Sequence, residues 1–179
     1  MSGDLAGTLD TVWAMLEAGT TDRAAPARHP TLATIGARGA EARILVLRRA
    51  DREGGSLALY TDAATGKVAD LAQEPRATLL VWDPGTRLQI RLRVHVTARP
   101  GTPAEWEALS EPARAVYGGD PPPGNPIQSP DRHATAPDAS RFTVLEARVD
   151  EIETLRLSDP HERARFSRAD GFAGTWLAP

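Results

Sequence analysis

The sequence predicts a mainly β fold, an antiparallel barrel of about six strands with peripheral helices. Three observations predict it: short runs of strand-like residues follow one another, turn residues separate neighbouring runs, and helical spacing is confined to a few isolated stretches. Tight turns between successive strands argue against a βαβ sheet. With 179 residues, 41% hydrophobic and 25% charged, the chain is long enough to bury a core without disulfide or metal staples. It has no cysteine, and we read it as one domain over residues 1–179.

The elements follow in order. Leu9, Val12, Trp13 and Leu16 fall at i, i+3, i+4 and i+7, the apolar stripe of a helix that Gly19 ends. Thr31–Ile35 and Ala42–Leu47 read as strands joined in a hairpin through Ala37-Arg38-Gly39. Asp51–Gly55 turns the chain into a strand over Ser56–Tyr60, and Val68, Leu71 and Ala72 space a helix over Thr65–Glu74 that Pro75 stops. Ala77–Trp82 is a further strand. After the turn Asp83-Pro84-Gly85, the residues Leu88, Ile90, Leu92, Val94 and Val96 alternate with Gln89, Arg91, Arg93, His95 and Thr97, one apolar and one cationic face. Trp106, Leu109, Ala113 and Val116 space a helix over Pro103–Tyr117, kinked at Pro112. Glycine and proline crowd residues 118–137, and so long a connection inside a compact domain is mobile or functional. Phe142–Val149 and Glu151–Leu157 are strands, followed by a short helical piece around His161–Phe166 and an irregular tail.

Several function classes are disfavoured. His29, His95, His133 and His161 show no i+2 or i+4 pairing, so no metal site is expected. No G-x-S-x-G elbow, P-loop or G-x-G-x-x-G is present. Arg87, Arg91 and Arg93 form a cationic stripe, but the net charge of −3 and 5% aromatic content give no basic field for nucleic acid. No apolar run approaches a membrane span, and Met1–Asp10 lacks the pattern of a secretory signal, so a cytoplasmic address with no membrane partner is expected.

Arginine is the default cation of this chain, and Lys67 is its single lysine. Thr65-Gly66-Lys67 opens a helix, where unpaired N–H groups and the helix dipole favour an anion. With Arg43 added, this makes a phosphomonoester pocket; the same spacing also reads as solvated cations near turns.

Four segments in order carry a resemblance: Arg43-Ile44-Leu45-Val46-Leu47-Arg48, Tyr60-Thr61-Asp62-x-x-Thr65-x-Lys67, Glu74-Pro75-Arg76-Ala77, and Arg87-Leu88-Gln89-Ile90-Arg91. Together they resemble the pyridoxamine 5'-phosphate oxidase family of FMN-binding split barrels, in its divergent branch rather than the oxidase proper. The resemblance runs from about His29 to Leu177-Ala178-Pro179 and implies FMN as cofactor. It implies that Arg43 and Lys67 grip the phosphate with Thr61 and Thr65, beside Tyr60. Arg48 holds the polar edge of the flavin or its ribityl chain, Ile44, Leu45 and Val46 lay their backbone along the ring, and Gln89 meets its polar edge. Gln128-Ser129 resembles a pair that reaches the flavin of a partner subunit, and either Arg163 or Arg165 stands where the family places another flavin contact. A homodimer with FMN at the subunit interface is implied.

The chain departs from the family where a serine-arginine-lysine triplet is replaced by Thr65-Gly66-Lys67. An ungapped reading puts Leu155 in place of a substrate-side Trp, and His161-Glu162-Arg163 reverses an Arg-x-His clamp. The expected function is an oxidoreductase passing a hydride from a small-molecule substrate to FMN, with the substrate clamp altered. The alternatives are a non-catalytic flavin carrier or redox sensor, a split barrel using heme or F420, and an interaction domain without cofactor. No side chain is assigned as catalytic; Arg91, Arg163 and His161 are the polar groups placed to face a substrate.

Overall fold

The computed structural model describes residues 4–179; the first three residues of the expected domain lie outside the described residues. The chain begins with α1 (Leu5–Thr21), whose Val12, Trp13 and Leu16 are buried, as the apolar stripe requires. Then come β1 (Thr31–Gly36), β2 (Gly39–Ile44), β3 (Leu47–Asp51), β4 (Ser56–Asp62), α2 (Gly66–Gln73), β5 (Arg76–Asp83) and β6 (Leu88–Pro100). Two short helices, α3 (Pro103–Glu107) and α4 (Glu111–Arg114), precede the long connection, and β7 (Phe142–Arg156), β8 (Glu162–Ser167) and β9 (Thr175–Leu177) follow it.

All nine strands of the described residues join one antiparallel sheet in the order β2-β1-β5-β6-β7-β4-β3, with β8 beside the C-terminal half of β7 and β9 beside β8. The two outermost strands of that order, β2 and β3, are consecutive in the chain and joined by Leu45-Val46. The sheet therefore curls until its edges meet at this dipeptide without pairing, a split barrel. Leu32, Leu79, Ile90, Leu92 and Ile152 are fully buried inside it, and α1 packs over β3. A second, aromatic cluster lies outside β4 and β7, where Tyr60, Trp106 and Tyr117 surround the Phe142 ring at centroid distances of 4.9–5.7 Å.

Several expectations are corrected. Arg43–Arg48 is not one strand: Leu45 donates its N–H to the Pro30 carbonyl, and the chain crosses there from one sheet edge to the other. Gly19 lies within α1 and faces the turn Pro26–Arg28, where a Cβ would sit 2.7 Å from the Ala27 carbonyl carbon. The helix instead runs on to Asp22, which caps it through its N–H. Pro103–Tyr117 breaks into two short helices because Ser110 starts a new one, with Pro112 in its first turn. The two expected strands Phe142–Val149 and Glu151–Leu157 are one long strand, Phe142–Arg156, with a bulge at Asp150 where its register against β6 shifts. Glu162–Ser167 is strand where a helical piece around His161–Phe166 was expected, since Ala164 and Phe166 alternate inward with Arg163 and Arg165 outward. The tail adds β9, so nine strands stand where about six were expected.

The 118–137 connection is tied at its neck. Asp120 and Ala134 exchange both backbone hydrogen bonds, and Asp138 donates its N–H to the Tyr117 carbonyl. Buried Asp62, at the end of β4, accepts from Gly118 N at 2.9 Å and Arg141 Nε at 2.8 Å. No helix among the described residues is long and apolar enough to cross a membrane.

Candidate functional site

A cleft follows the seam of the barrel, and its two halves share Thr65 and Pro123. One half, about 440 Å³, lies between the β1–β2 turn and the start of α2 and is lined by Arg43, Thr65, Gly66 and Lys67. The other, about 300 Å³, lies over the seam and is lined by Ile44, Leu45, Val46, Arg48, Tyr60, Thr61 and Tyr117. Nine of the residues singled out from sequence therefore line one continuous groove.

The first half is built for an anion. Thr65 is the N-cap of α2 and bonds back to the Asp62 carbonyl at 2.8 Å, which leaves the N–H groups of Gly66 and Lys67 without intrahelical partners. Lys67 Nζ donates to Thr61 Oγ1 at 3.0 Å, and Thr61 and Thr65 hydroxyls lie 3.3 Å apart. Arg43 donates to Thr34 Oγ1 at 2.6 Å, and among the described residues the carboxylate it pairs with, Asp70, is 3.8 Å away. Burial and the neighbouring Arg43 charge push the Lys67 ammonium below the usual lysine range, against a smaller opposing pull from Asp62. Two cations held together with a loose counter-ion have charge left for a ligand.

The second half is built for something flat. Leu47 pairs with Leu59 and Arg49 with Ala58, so Arg48 is the extra residue of a bulge. A bulge re-aims its side chain, and here the Arg48 guanidinium lies 5.5 Å from the Tyr60 ring centroid. Its Nε is buried without a hydrogen-bond partner, an orphan donor of the kind a ligand acceptor satisfies. Ile44 and Val116 are exposed at the mouth, and burial pushes the Tyr60 and Tyr117 phenols up.

Five of the singled-out residues lie elsewhere. Gln89, Arg163 and Arg165 project from the outer face of β6 and β8, and Gln128 and Ser129 lie on the 118–137 connection, with Gln128 exposed. Cross-strand pairing runs Ile44–Thr31–Leu80–Arg91–Glu153–Arg165, five strand spacings or roughly 24 Å along the sheet. On that face Glu153, only 8% exposed, binds Arg91 at 2.6 Å and Arg163 at 2.8 Å, and the two guanidiniums hold its carboxyl below the usual range against the cost of burial. Arg165 pairs loosely with Glu151, at 4.0 Å. His161 is exposed beside a separate cleft against α1.

Sequence reasoning missed Val116, Tyr117 and Pro123. The one signal for them was position: an aromatic residue directly before Gly118-Gly119 at the entry to a long connection.

The Pyridoxamine 5'-phosphate oxidase family model matches residues 25–156. Among solved structures, a pyridoxamine 5'-phosphate oxidase-related, FMN binding protein from Nostoc punctiforme superposes with a TM-score of 0.76 at 24% identity, over 95% of this chain and 96% of that one. PhzG from Burkholderia lata, in complex with tetrahydrophenazine-1-carboxylic acid, gives 0.72 at 18% identity over 97% and 92%. A Clostridium acetobutylicum protein related to general stress protein 26 gives 0.62 at 14% over 94% and 99%. No curated protein matches the sequence. At these identities the likeness is one of fold.

Proposed function

The chain belongs to the pyridoxamine 5'-phosphate oxidase family, and from that premise we propose that the seam cleft binds FMN and that the protein is an FMN-dependent oxidoreductase acting on a small molecule. The observation that carries this reading is the pairing of an anion pocket with a flat slot in one groove. The donor set fits FMN: Arg43 and Lys67 neutralise the phosphate, Thr61 and Thr65 add hydroxyls, and the orphan Arg48 Nε meets an acceptor on the flavin's polar edge or ribityl chain. Each charge-assisted contact is worth about 1.5–3 kcal/mol, about ten- to a hundredfold in affinity. When bound, FMN supplies a two-electron carrier that takes up a hydride equivalent from one small molecule and yields it to another. Leu45 and Val46 give that ring a backbone floor, and Tyr117 and Pro123 shield it from water.

Arg163 and Arg165 lie five strands from Ile44 along the sheet and line neither half of the cleft that holds Lys67. Their role, with Gln89 and Gln128-Ser129, is therefore toward the cofactor of a partner subunit, in a homodimer with FMN at the interface. Arg165 is the better candidate, because Glu153 already occupies Arg163.

The test is the visible spectrum of the purified protein, identification of any released chromophore, FMN titration of the stripped protein, and its mass in solution. FMN at one per chain on a dimer is expected. A protein that neither carries nor takes up FMN overturns the reading, and a loaded protein that no donor reduces leaves only a carrier or sensor.

A further inference from the structure

The half of the cleft around Lys67 has two walls, the start of α2 and the β1–β2 hairpin. The hairpin is tight: Gly36 pairs with Gly39, so Ala37 and Arg38 form its tip, and Gly39 takes a φ of +114°, a conformation that L side chains rarely adopt. Its base is pressed onto α2, where a Cβ at Gly36 would lie 3.1 Å from Asp70 Oδ1. Arg38 is thereby carried to the edge of the pocket and lines it together with Arg43, Gly66 and Lys67.

Among the described residues lining this half, Arg43 and Lys67 are matched in number by Glu41 and Asp70, and Arg38 alone brings a net positive charge. A phosphate monoester brings about −1.5 to −2 at neutral pH. Arg43 is engaged by Thr34 and Lys67 by Thr61, whereas the 90% exposed Arg38 side chain is held, among the described residues, by Glu41 at 3.8 Å. So loose a surface pair costs little to break. Facing it, a Cβ at Gly66 meets nothing within 4 Å, so the helix wall leaves room for a cation that the helix itself does not supply.

We propose that Arg38 is the third cation of the phosphate pocket, closing from the β1–β2 hairpin onto the phosphate that Arg43 and Lys67 hold, in the space left at Gly66. The proposal rests on the reading of the cleft as an FMN site. A planar guanidinium offers paired N–H donors to phosphate oxygens, so Arg38 adds affinity for the phosphate and none for the ring.

The experiment titrates the stripped protein with FMN and with riboflavin, its phosphate-free form, following flavin fluorescence at low and at high salt. Arg38→Ala is expected to weaken FMN about fivefold at low salt and less at about 1 M salt, where the charges are screened, while riboflavin affinity stays unchanged. Gly66→Arg is expected to gain more FMN affinity in the Arg38→Ala protein than in wild type, because the two side chains serve the same phosphate. Arg38→Gln keeps the stem without the charge and is expected to repeat the Arg38→Ala result, so it decides if the alanine variant does not fold. Equal FMN affinity in wild type and variant overturns the proposal, and so does an equal loss for FMN and riboflavin, which marks Arg38 as a structural residue of the hairpin. A wild-type protein that takes up no FMN overturns this proposal together with the FMN reading, whereas normal uptake with an unaffected variant overturns this proposal alone.

Discussion

The α2 end of the cleft and the outer face of β6 and β7 beside α3 both gather positive charge, but Arg43 has a carboxylate only at 3.8 Å whereas Arg99 is gripped by two close ones. The same contrast recurs on the outer sheet face, where Glu153 holds Arg91 and Arg163 while Arg165 is nearly unheld. The capacity of a cation to bind a ligand is set by what already binds the cation, not by its residue type. An arginine with every donor satisfied is a structural group.

The sharpest way to break this comparison is at the α2 end. Lys67→Ala is expected to weaken FMN binding about ten- to a hundredfold, read by titration of the stripped protein. Burial and Arg43 depress the Lys67 ammonium, so it loses its proton below the ordinary value of about 10.4. Wild-type affinity should accordingly fall as pH rises toward that value, and the fall attributable to Lys67 should be missing in the variant. Equal affinity in the two proteins would remove Lys67 from the site.

Adding charge there sharpens the contrast. A Cβ at Gly66 meets nothing within 4 Å, so Gly66→Arg enters α2 without a clash and supplies the arginine of the family's triplet. It should tighten FMN about tenfold through one further charge-assisted contact, read by titration of the stripped protein.

On the outer face the two arginines should behave differently. Arg163→Ala leaves Glu153 with a single cation and is expected to cost about 1–2 kcal/mol in urea unfolding, less than for a fully buried pair because 33% of the Arg163 side chain is exposed. Arg165→Ala should leave stability alone and weaken FMN retention a few-fold. Reversal of the two phenotypes would exchange the roles.

The smallest effect is acid-dependent. Arg99 and Thr102 hold the Glu105 carboxyl at about 2, below its ordinary 4.5. A depressed carboxylate stabilises the fold above its unfolded pKa and loses that contribution as pH falls through the folded one. The stability gap between wild type and Glu105→Gln should be complete above about pH 5, no more than about 1 kcal/mol, and closed near pH 2.

How much of this was legible in the sequence differs from element to element. The alternation in β6 named every inward residue from Leu88 to Val96 correctly, because period two on a half-buried strand is a local signal. The break at Leu45-Val46 was not legible, since Ile44 to Leu47 has the composition of a continuous strand and only closure of the barrel divides it. In β8 the sequence Glu162-Arg163-Ala164-Arg165-Phe166-Ser167 lacks β-branched residues, and pairing with β7 overrides its helical look. Arg43 and Lys67 stood out by residue type and by resemblance. Tyr117 packs on Phe142, and Arg99 is held by Glu146 as well as by the nearby Glu105; no spacing rule reaches the distant partners.

The neck of the 118–137 connection makes it a closed lasso rather than an open strap. The Asp120–Ala134 pair, the Tyr117–Asp138 bond and the Asp62 clamp all lie on the barrel side of the exposed tip. A protease that nicks the tip near Asn125 therefore creates two new chain ends beyond the knot, and the fragments stay together as one folded particle that separates only on denaturation.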